Sequence, residues 1–333
     1  MIKRLDATSG ASLCHLFSLV APLATVFGYV SERPLLGAFL VLVVYPLLDL
    51  LLGVTREKST TTRLPYPHLL LYLHVIAHTA VVFTLCQYAD RHALSWATAG
   101  AVLSAGVSSG ISGIIVAHEL GHSRAHWIDP WLARWNLLLV LYSHFTLEHN
   151  RHHHPAVATV DDPASAPRER NLWQQLVFTI PQQFKSAWRI ATKRRAPLGL
   201  NTVTWGLLAQ VLLIVIVGLM FSISACVALV AQALFSIFLL EYVNYIRHYG
   251  LRRDSSQRVN EQHAWQSESR WSRWTLLELT RHPSHHIHAG LPFWELRPYA
   301  DAPSLPAGYY AMFWPALFPA WWRRLMTPLL DQR

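Results

Sequence analysis

Acidic side chains and cysteines are scarce in this chain. Aspartate and glutamate together number 19 of 333 residues, charged residues of all kinds reach only 14%, and there are three cysteines. Cys14, Cys86 and Cys226 all fall in apolar runs and form no CxxC pair. That excludes a disulfide framework, a zinc ribbon and any iron–sulfur or rubredoxin module within the chain. Internal repeats, low-complexity segments and recognition motifs for nucleic acid are also missing. The formal charge of +9 is therefore assigned to anionic lipid headgroups or an acidic electron-transfer partner, with no nucleic-acid role.

Hydrophobic residues are abundant instead, at 52%, and they are bunched. Apolar stretches near 11–30, 35–54, 68–87, 94–117, 200–220 and 222–245 each approach the ~20 residues needed to cross a hydrocarbon core of ~30 Å. The pattern predicts one all-α integral membrane domain over 1–333, with six transmembrane helices and a histidine-rich cap formed by 118–197 and 246–333. A second apolar run follows the first after only SERP, so the opening stretch reads as half of a retained hairpin rather than a cleaved leader. All lysines and arginines except Arg33 and Arg91 fall on one side of this topology, which the positive-inside rule makes cytoplasmic. Within the first cap segment, 131–150 is apolar but short for a span, and should lie in the interface or dock under the bundle. The run 161–170 has loop chemistry, and 172–195 reads as an amphipathic interfacial helix interrupted near Pro181.

Nine ligand-spaced histidines, with His152 beside them, fall into four short clusters: HELGH at His118 to His122, HNRHHH at His149 to His154, RHYG around His248, and RHPSHH at His282 to His286. Neutral imidazole suits Fe, Zn, Cu and Ni, so this density points to a transition-metal centre. His118 and His122 share a helix face, and HExxH alone fits a zinc protease with Glu119 as general base equally well. The surplus of ligand-spaced histidines disfavours a single zinc. His149 and His153 are again four apart, with His154 free to reach a second metal, and His282, His285 and His286 repeat the HxxHH pattern, so a binuclear site is the economical reading. His74 and His78 stand one turn apart in the third span but far in depth from the clusters. His126, His144, His152, His263 and His288 lack a partner pattern and read as supporting or surface residues, while His15, His68 and His92 read as interfacial. Asp49, the only acidic residue inside the first four spans, should face a polar pocket or a ligand histidine, or else sit near the headgroups. Glu119, Glu148, Asp162 and Glu241 are candidates to orient imidazoles through their second ring nitrogens.

HELGH, EHNRHHHPAVATVDDPASA, NYIRHYGL, LTRHPSHHIHAG and LPAGYYAMFWPALFPAWWRRLM, with YPLLDLLLG in the second span, resemble the membrane-bound alkane 1-monooxygenase family. That family includes xylene-type methyl hydroxylases and lies within the fatty acid desaturase superfamily. The resemblance covers nearly the whole chain. It carries nine iron ligands onto His118, His122, His149, His153, His154, His248, His282, His285 and His286. It further implies two non-haem iron ions, rubredoxin or ferredoxin with its reductase as electron donor, O2 as oxidant, a hydrophobic substrate, and a multi-pass place in a bacterial inner membrane. Three departures stand out: His152 replaces a usual glycine, Arg247 stands where glutamate is common, and Pro283-Ser284 replaces Ser-Asp. The expected activity is hydroxylation of a terminal or benzylic methyl group. Alternatives are a fatty acyl desaturase or decarboxylase, an intramembrane zinc protease, and a metal transporter or sensor.

Overall fold

The computed structural model describes residues 13–55, 66–193 and 201–332. The first residues of the first expected span lie outside this range, as do the basic residues Lys3, Arg4, Arg56, Lys58, Arg63, Arg194, Arg195 and Arg333.

Four helices are long and apolar enough to cross a membrane: α3 (Pro67–His92), α4 (Trp96–His122), α8 (Thr202–Met220) and α9 (Ile223–His248). Each of the last three starts at a polar cap. Ser95 accepts from the Thr98 amide at 3.2 Å, Asn201 from Thr204 at 2.9 Å, and Ser222 from Ala225 at 3.4 Å, satisfying amide donors that lipid could not. The first two apolar stretches form shorter helices, α1 (Cys14–Val30) and α2 (Leu36–Leu51). At 1.5 Å per residue each is about 25 Å long, roughly a turn less than the hydrocarbon core.

This hairpin nevertheless reaches both ends of its neighbours. At its tip Glu32 meets His92 (3.2 Å) and Arg91 (3.8 Å) at the end of α3. At the other end His15 and Asp49 are tied to the C-terminal tail. His15 is buried rather than interfacial, its Nε2 lying 3.1 Å from Glu278. Glu278 in turn takes Arg273 at 2.8 Å and Arg281 at 3.3 Å, so a buried ion network locks the tail under α1.

The remaining helices cap the bundle: α5 (Asp129–Leu139), α6 (145–156), α7 (Leu172–Lys193), α10 (Arg270–Thr275), α11 (His282–Ile287), α12 (Tyr309–Leu317) and α13 (Pro319–Asp331). Stretch 131–150 therefore divides between α5 and α6 and docks against α4 and α3. Helix α7 runs unbroken through Pro181, against the expected interruption. The proline forfeits one bond, to the carbonyl of Val177, and Val177 is on the exposed side, where the loss is tolerable. Among the described residues the only β pairing is two isolated bridges.

Asp49 decides how the tail meets the bundle. Its carboxylate is buried and accepts from Ser269 Oγ (2.6 Å), Ser272 N (3.0 Å) and Oγ (2.8 Å), and the amides of Tyr310 (2.9 Å) and Ala311 (3.2 Å). It thus caps the N-terminus of α12 from across the chain, where an anion complements the helix dipole. It faces a polar pocket, one of the expected outcomes, and touches no histidine. Gly308 permits this approach, because a Cβ there would overlap the Asp49 carboxylate.

Candidate metal centre

Helices α4 and α6 depart from regular geometry where they carry ligands. In α4 a π turn, Ser109–Ile115, precedes the last stretch Val116–His122, and α6 is built around a second, His149–His153. A π turn leaves carbonyls of its helix without regular partners. In α4 these are met by a buried polar set. Asn136 Nδ2 donates to the carbonyls of Ser112 (3.0 Å) and Gly113 (3.2 Å), His78 bridges Asn136 Oδ1 (3.2 Å) and Ser109 Oγ (3.1 Å), and His74 bridges Ser112 Oγ (2.9 Å) and Ser18 Oγ (2.7 Å). His74 and His78 are therefore braces for the helix and belong to neither ligand group. Gly113 is required there because a Cβ would run into the His78 ring.

Downstream of these turns nine histidines converge in two groups, His118, His122, His149, His154 and His285 in one and His153, His248, His282 and His286 in the other. Within each group the candidate ligand nitrogens all lie within 4.8 Å of one another. The division differs from the expected pairing of His149 with His153. Bonds in a π turn run from i to i+5, so His149 and His154, five apart, face the same point and His153 turns away. In α11 regular geometry holds: His282 and His286 share a face, and His285 points to the first group.

The ring contacts fit metal ions better than hydrogen bonds. Nε2 meets Nε2 at 3.0 Å for His118–His285, His285–His154 and His154–His149, at 3.1 Å for His282–His248 and at 2.8 Å for His286–His282. Meanwhile the buried Nε2 atoms of His122 and His153, and Nδ1 of His154, His248 and His286, have no hydrogen-bond partner. Metal–nitrogen bonds of ~2.1 Å would set neighbouring ligand atoms ~3.0–3.4 Å apart, close to these contacts. Burial, reinforced by the neighbouring rings, drives His149, His282, His285 and His286 well below the usual histidine range and His154 down to about 2. They remain neutral, the form that binds a metal.

Of the five acidic candidates, one touches a ligand. Asp162 holds His153 Nδ1 with both oxygens, at 3.1 and 3.0 Å, and is itself fixed by Ser165 Oγ (2.6 Å) and the Ala164 amide (3.1 Å). Burial alone would raise its carboxyl, but His153 and Ser165 outweigh that and hold it at about 2. The others act elsewhere. Glu119 accepts from the Phe293 amide at 2.8 Å, tying HELGH to the tail. Glu148 binds His152 at 3.0 Å, and that bond pushes His152 up while directing it away from both groups. Glu241 accepts from Gln183 Nε2 (2.9 Å) and Asn244 (3.2 Å). All three were candidates to orient imidazoles, and their hydrogen bonds run instead to the Phe293 amide, to His152, and to Gln183 with Asn244. Arg247, noted only as a departure, is buried with Nη1 3.2 Å from His282 Nδ1. Tyr309, which no spacing pattern marked, is buried beside it.

An apolar slot leads to the first group. It runs between α2, α4, α9 and α12, lined by residues such as Leu42, Val107, Ile111, Leu239 and Phe313, and ends at His118, Arg247 and Tyr309. A second, polar depression reaches His122 and His154 from outside, flanked by Arg124 and Arg151.

Comparison with known proteins agrees with this arrangement. The family model for fatty acid desaturase matches residues 94–316. The chain is 32% identical over 300 residues to alkane 1-monooxygenase of Ectopseudomonas oleovorans, covering 85% of this chain and 75% of that protein. It is 36% identical over 203 residues to alkane 1-monooxygenase 1 of Pseudomonas aeruginosa, covering 58% and 53%. To the xylene/toluene monooxygenase hydroxylase component of Pseudomonas putida it is 29% identical over 198 residues, covering 56% and 53%. The chain thus spans about half the length of several of the curated relatives it matches.

Proposed function

Because the chain belongs to the fatty acid desaturase family, among the alkane 1-monooxygenases, we propose that it is a membrane-bound non-haem di-iron monooxygenase. Each histidine group would hold one iron, and the reaction would be R–CH3 + O2 + 2 e⁻ + 2 H⁺ → R–CH2OH + H2O at a terminal or benzylic methyl group. The observation that carries this is the convergence of nine histidines in two groups, the first of which is reached by an apolar slot at His118.

The irons, when bound, supply activation of O2 with two electrons from a protein donor. The chain's own residues do the rest. Leu42, Val107, Ile111 and Phe313 exclude water and align the substrate by shape. Asp162 fixes the His153 ring and its tautomer. The Asn136–His78–His74 set keeps the π turn of α4 intact, and with it the direction of His118 and His122. Arg124 and Arg151, at the polar depression, suit an acidic rubredoxin or ferredoxin. We place α1 and α2 as two further crossings, giving six, because their hairpin spans from the tail to the far end of α3. The histidine cap and both termini would then be cytoplasmic, in a bacterial inner membrane, following the distribution of Lys and Arg. A zinc protease is disfavoured because the Glu119 carboxylate is engaged by the Phe293 amide.

Iron analysis of purified protein, followed by product identification with alkanes, methylarenes and fatty acids under O2 and a reductant, tests the proposal. Two irons per chain and reductant-dependent alcohol are expected. Zinc with peptidase activity, or turnover without O2, would overturn it.

A further inference from the structure

A second groove, of about 770 Å³, lies between α5, α6 and α8, apart from the apolar slot. Gly121, near the end of the span α4, and Thr202, the first residue of the span α8, both line it, so it sits at the level where these spans leave the hydrocarbon. Ala209 lies seven residues into α8, about 10 Å deeper at 1.5 Å per residue, whereas Asn150 and Arg151 belong to the cap. Trp131, Trp135 and Trp205, all exposed, form its walls, and tryptophan gathers at headgroup level. Helix α8 itself has little protein around it. Only 17% of its apolar window is buried, against 50% or more for the other three long spans.

The charge around the groove has one sign. Arg134 lies over the Trp131 ring at 4.8 Å, Arg151 stands at the cap end, and no acidic residue lines the groove. Phe184, whose ring meets His144 edge-on at 5.2 Å, carries an adjoining depression with Lys185, Trp188 and Arg189. Among the described residues none of these four cations forms an ion pair, and the acid nearest in sequence to Arg151, Glu148, is bonded to His152. Two polar atoms of groove residues, His144 Nε2 and Thr146 Oγ1, are also buried without a hydrogen-bond partner. Ser143 beside them is engaged by Gln210 Nε2 at 2.9 Å. Unpaired buried donors beside unpaired cations call for a ligand that is both an acceptor and an anion.

We propose that this groove is a binding site for one anionic phospholipid of the phosphatidylglycerol type. Its phosphate faces Arg134, Arg151 and the His144 and Thr146 side chains, and one acyl chain descends past Trp135, Leu138 and Ala209. A phosphodiester supplies the acceptor oxygens, and a guanidinium pairs with it in a forked geometry. A choline headgroup would bring its own cation among four others, which disfavours a zwitterionic lipid. Free phosphate could meet the cations but would leave the apolar lower half of the groove unfilled. The lipid takes no part in the oxidation proposed above, so the site stands or falls independently of that reaction. Its role is to fasten α8, the least buried of the long spans, to α5 and to the helix that carries HNRHHH.

The test strips the full chain of lipid in mild detergent and follows binding by native mass spectrometry and the thermal midpoint. The probes are dioleoylphosphatidylglycerol, dioleoylphosphatidylcholine and glycerol 3-phosphate. One phosphatidylglycerol should bind about 10-fold tighter than phosphatidylcholine and raise the midpoint, and R134Q should cut that preference about 5-fold. R323Q, on α13 and outside the groove, should leave the preference unchanged. W205A, which removes a wall but no charge, should weaken both lipids alike. If R134Q does not fold, T146V removes one hydroxyl at little change in volume and must still lower the preference. Equal affinity for the two lipids overturns the inference. So does an equal loss in R134Q and R323Q, which would mean that the net surface charge alone attracts the lipid. Displacement of phosphatidylglycerol by an equal concentration of glycerol 3-phosphate would mark a site for phosphate rather than lipid, and overturns it as well.

Discussion

Replacing Asp162 by alanine should loosen one metal ion and leave the other in place. Among the described residues the carboxylate is the sole acidic hydrogen-bond partner of a candidate ligand ring, gripping His153 Nδ1 at 3.0 and 3.1 Å, and His153 belongs only to the four-histidine group. Without it the ring can turn and its tautomer is no longer fixed, so that group keeps three oriented ligands. Loss of such an outer partner weakens metal binding about 10- to 100-fold, equivalent to about 1.4–2.7 kcal/mol. The five-histidine group has no contact with Asp162, so its ion should hold as before. Chelator competition, followed by iron released per chain, should change from a single late phase to two phases, one shifted to 10- to 100-fold lower chelator concentration. Asp162→Asn, which keeps one acceptor oxygen, should lie between. Parallel loss of both ions, or no shift at all, would refute the assignment of His153 to a separate group.

Glu119→Gln should retain both irons and O2-dependent turnover, because the side chain meets the Phe293 amide and no ligand; loss of all metal-dependent activity with metal still bound would favour a hydrolytic base. His153→Ala should lose iron whereas His152→Ala should not, since His152 bonds to Glu148 outside both groups; metal analysis of the pair reads this directly. Asn136→Leu strips two carbonyls of the α4 π turn of their donor and should lower stability by about 2–4 kcal/mol, seen as a lower thermal midpoint in detergent. Gly308→Ala forces a methyl into the Asp49 carboxylate and should destabilise by about 2 kcal/mol or more; an unchanged midpoint would mean that the contact relaxes freely.

The candidate ligands were readable because metal binding selects a side-chain type and clusters it locally, and the structure brings those histidines together. HELGH and RHPSHH obey helical spacing, and the structure uses that spacing in both. HNRHHH did not yield its pairing, since the rule of four assumes a regular helix and nothing in the local sequence signals a π turn. Asp49 was marked as anomalous by its burial cost, but its partners lie 220 or more residues away, beyond any periodicity. Glu119 and Glu148 stand next to candidate ligands in sequence and Glu241 stands further off, yet the hydrogen bonds of all three run to other partners, which the tertiary arrangement decides. The long spans α3, α4, α8 and α9 followed from apolar run length, whereas α1 and α2 are shorter, with ends that meet protein partners at His15–Glu278 and Asp49–Ser269.

The π turns have a consequence for how this centre can change over time. Each accommodates one residue more than an unbroken α-helix of the same rise would hold, and the ligands beyond it are aimed by that surplus. Straightening the turn between 109 and 115 with its residue count unchanged would swing His118 and His122 together by about 100°, whereas deleting one residue there would give a plain helix with both ligands near their present face. Substitution can reshape the slot a side chain at a time, but a change that closes the wide turn around its extra residue turns the histidines beyond it away from their group.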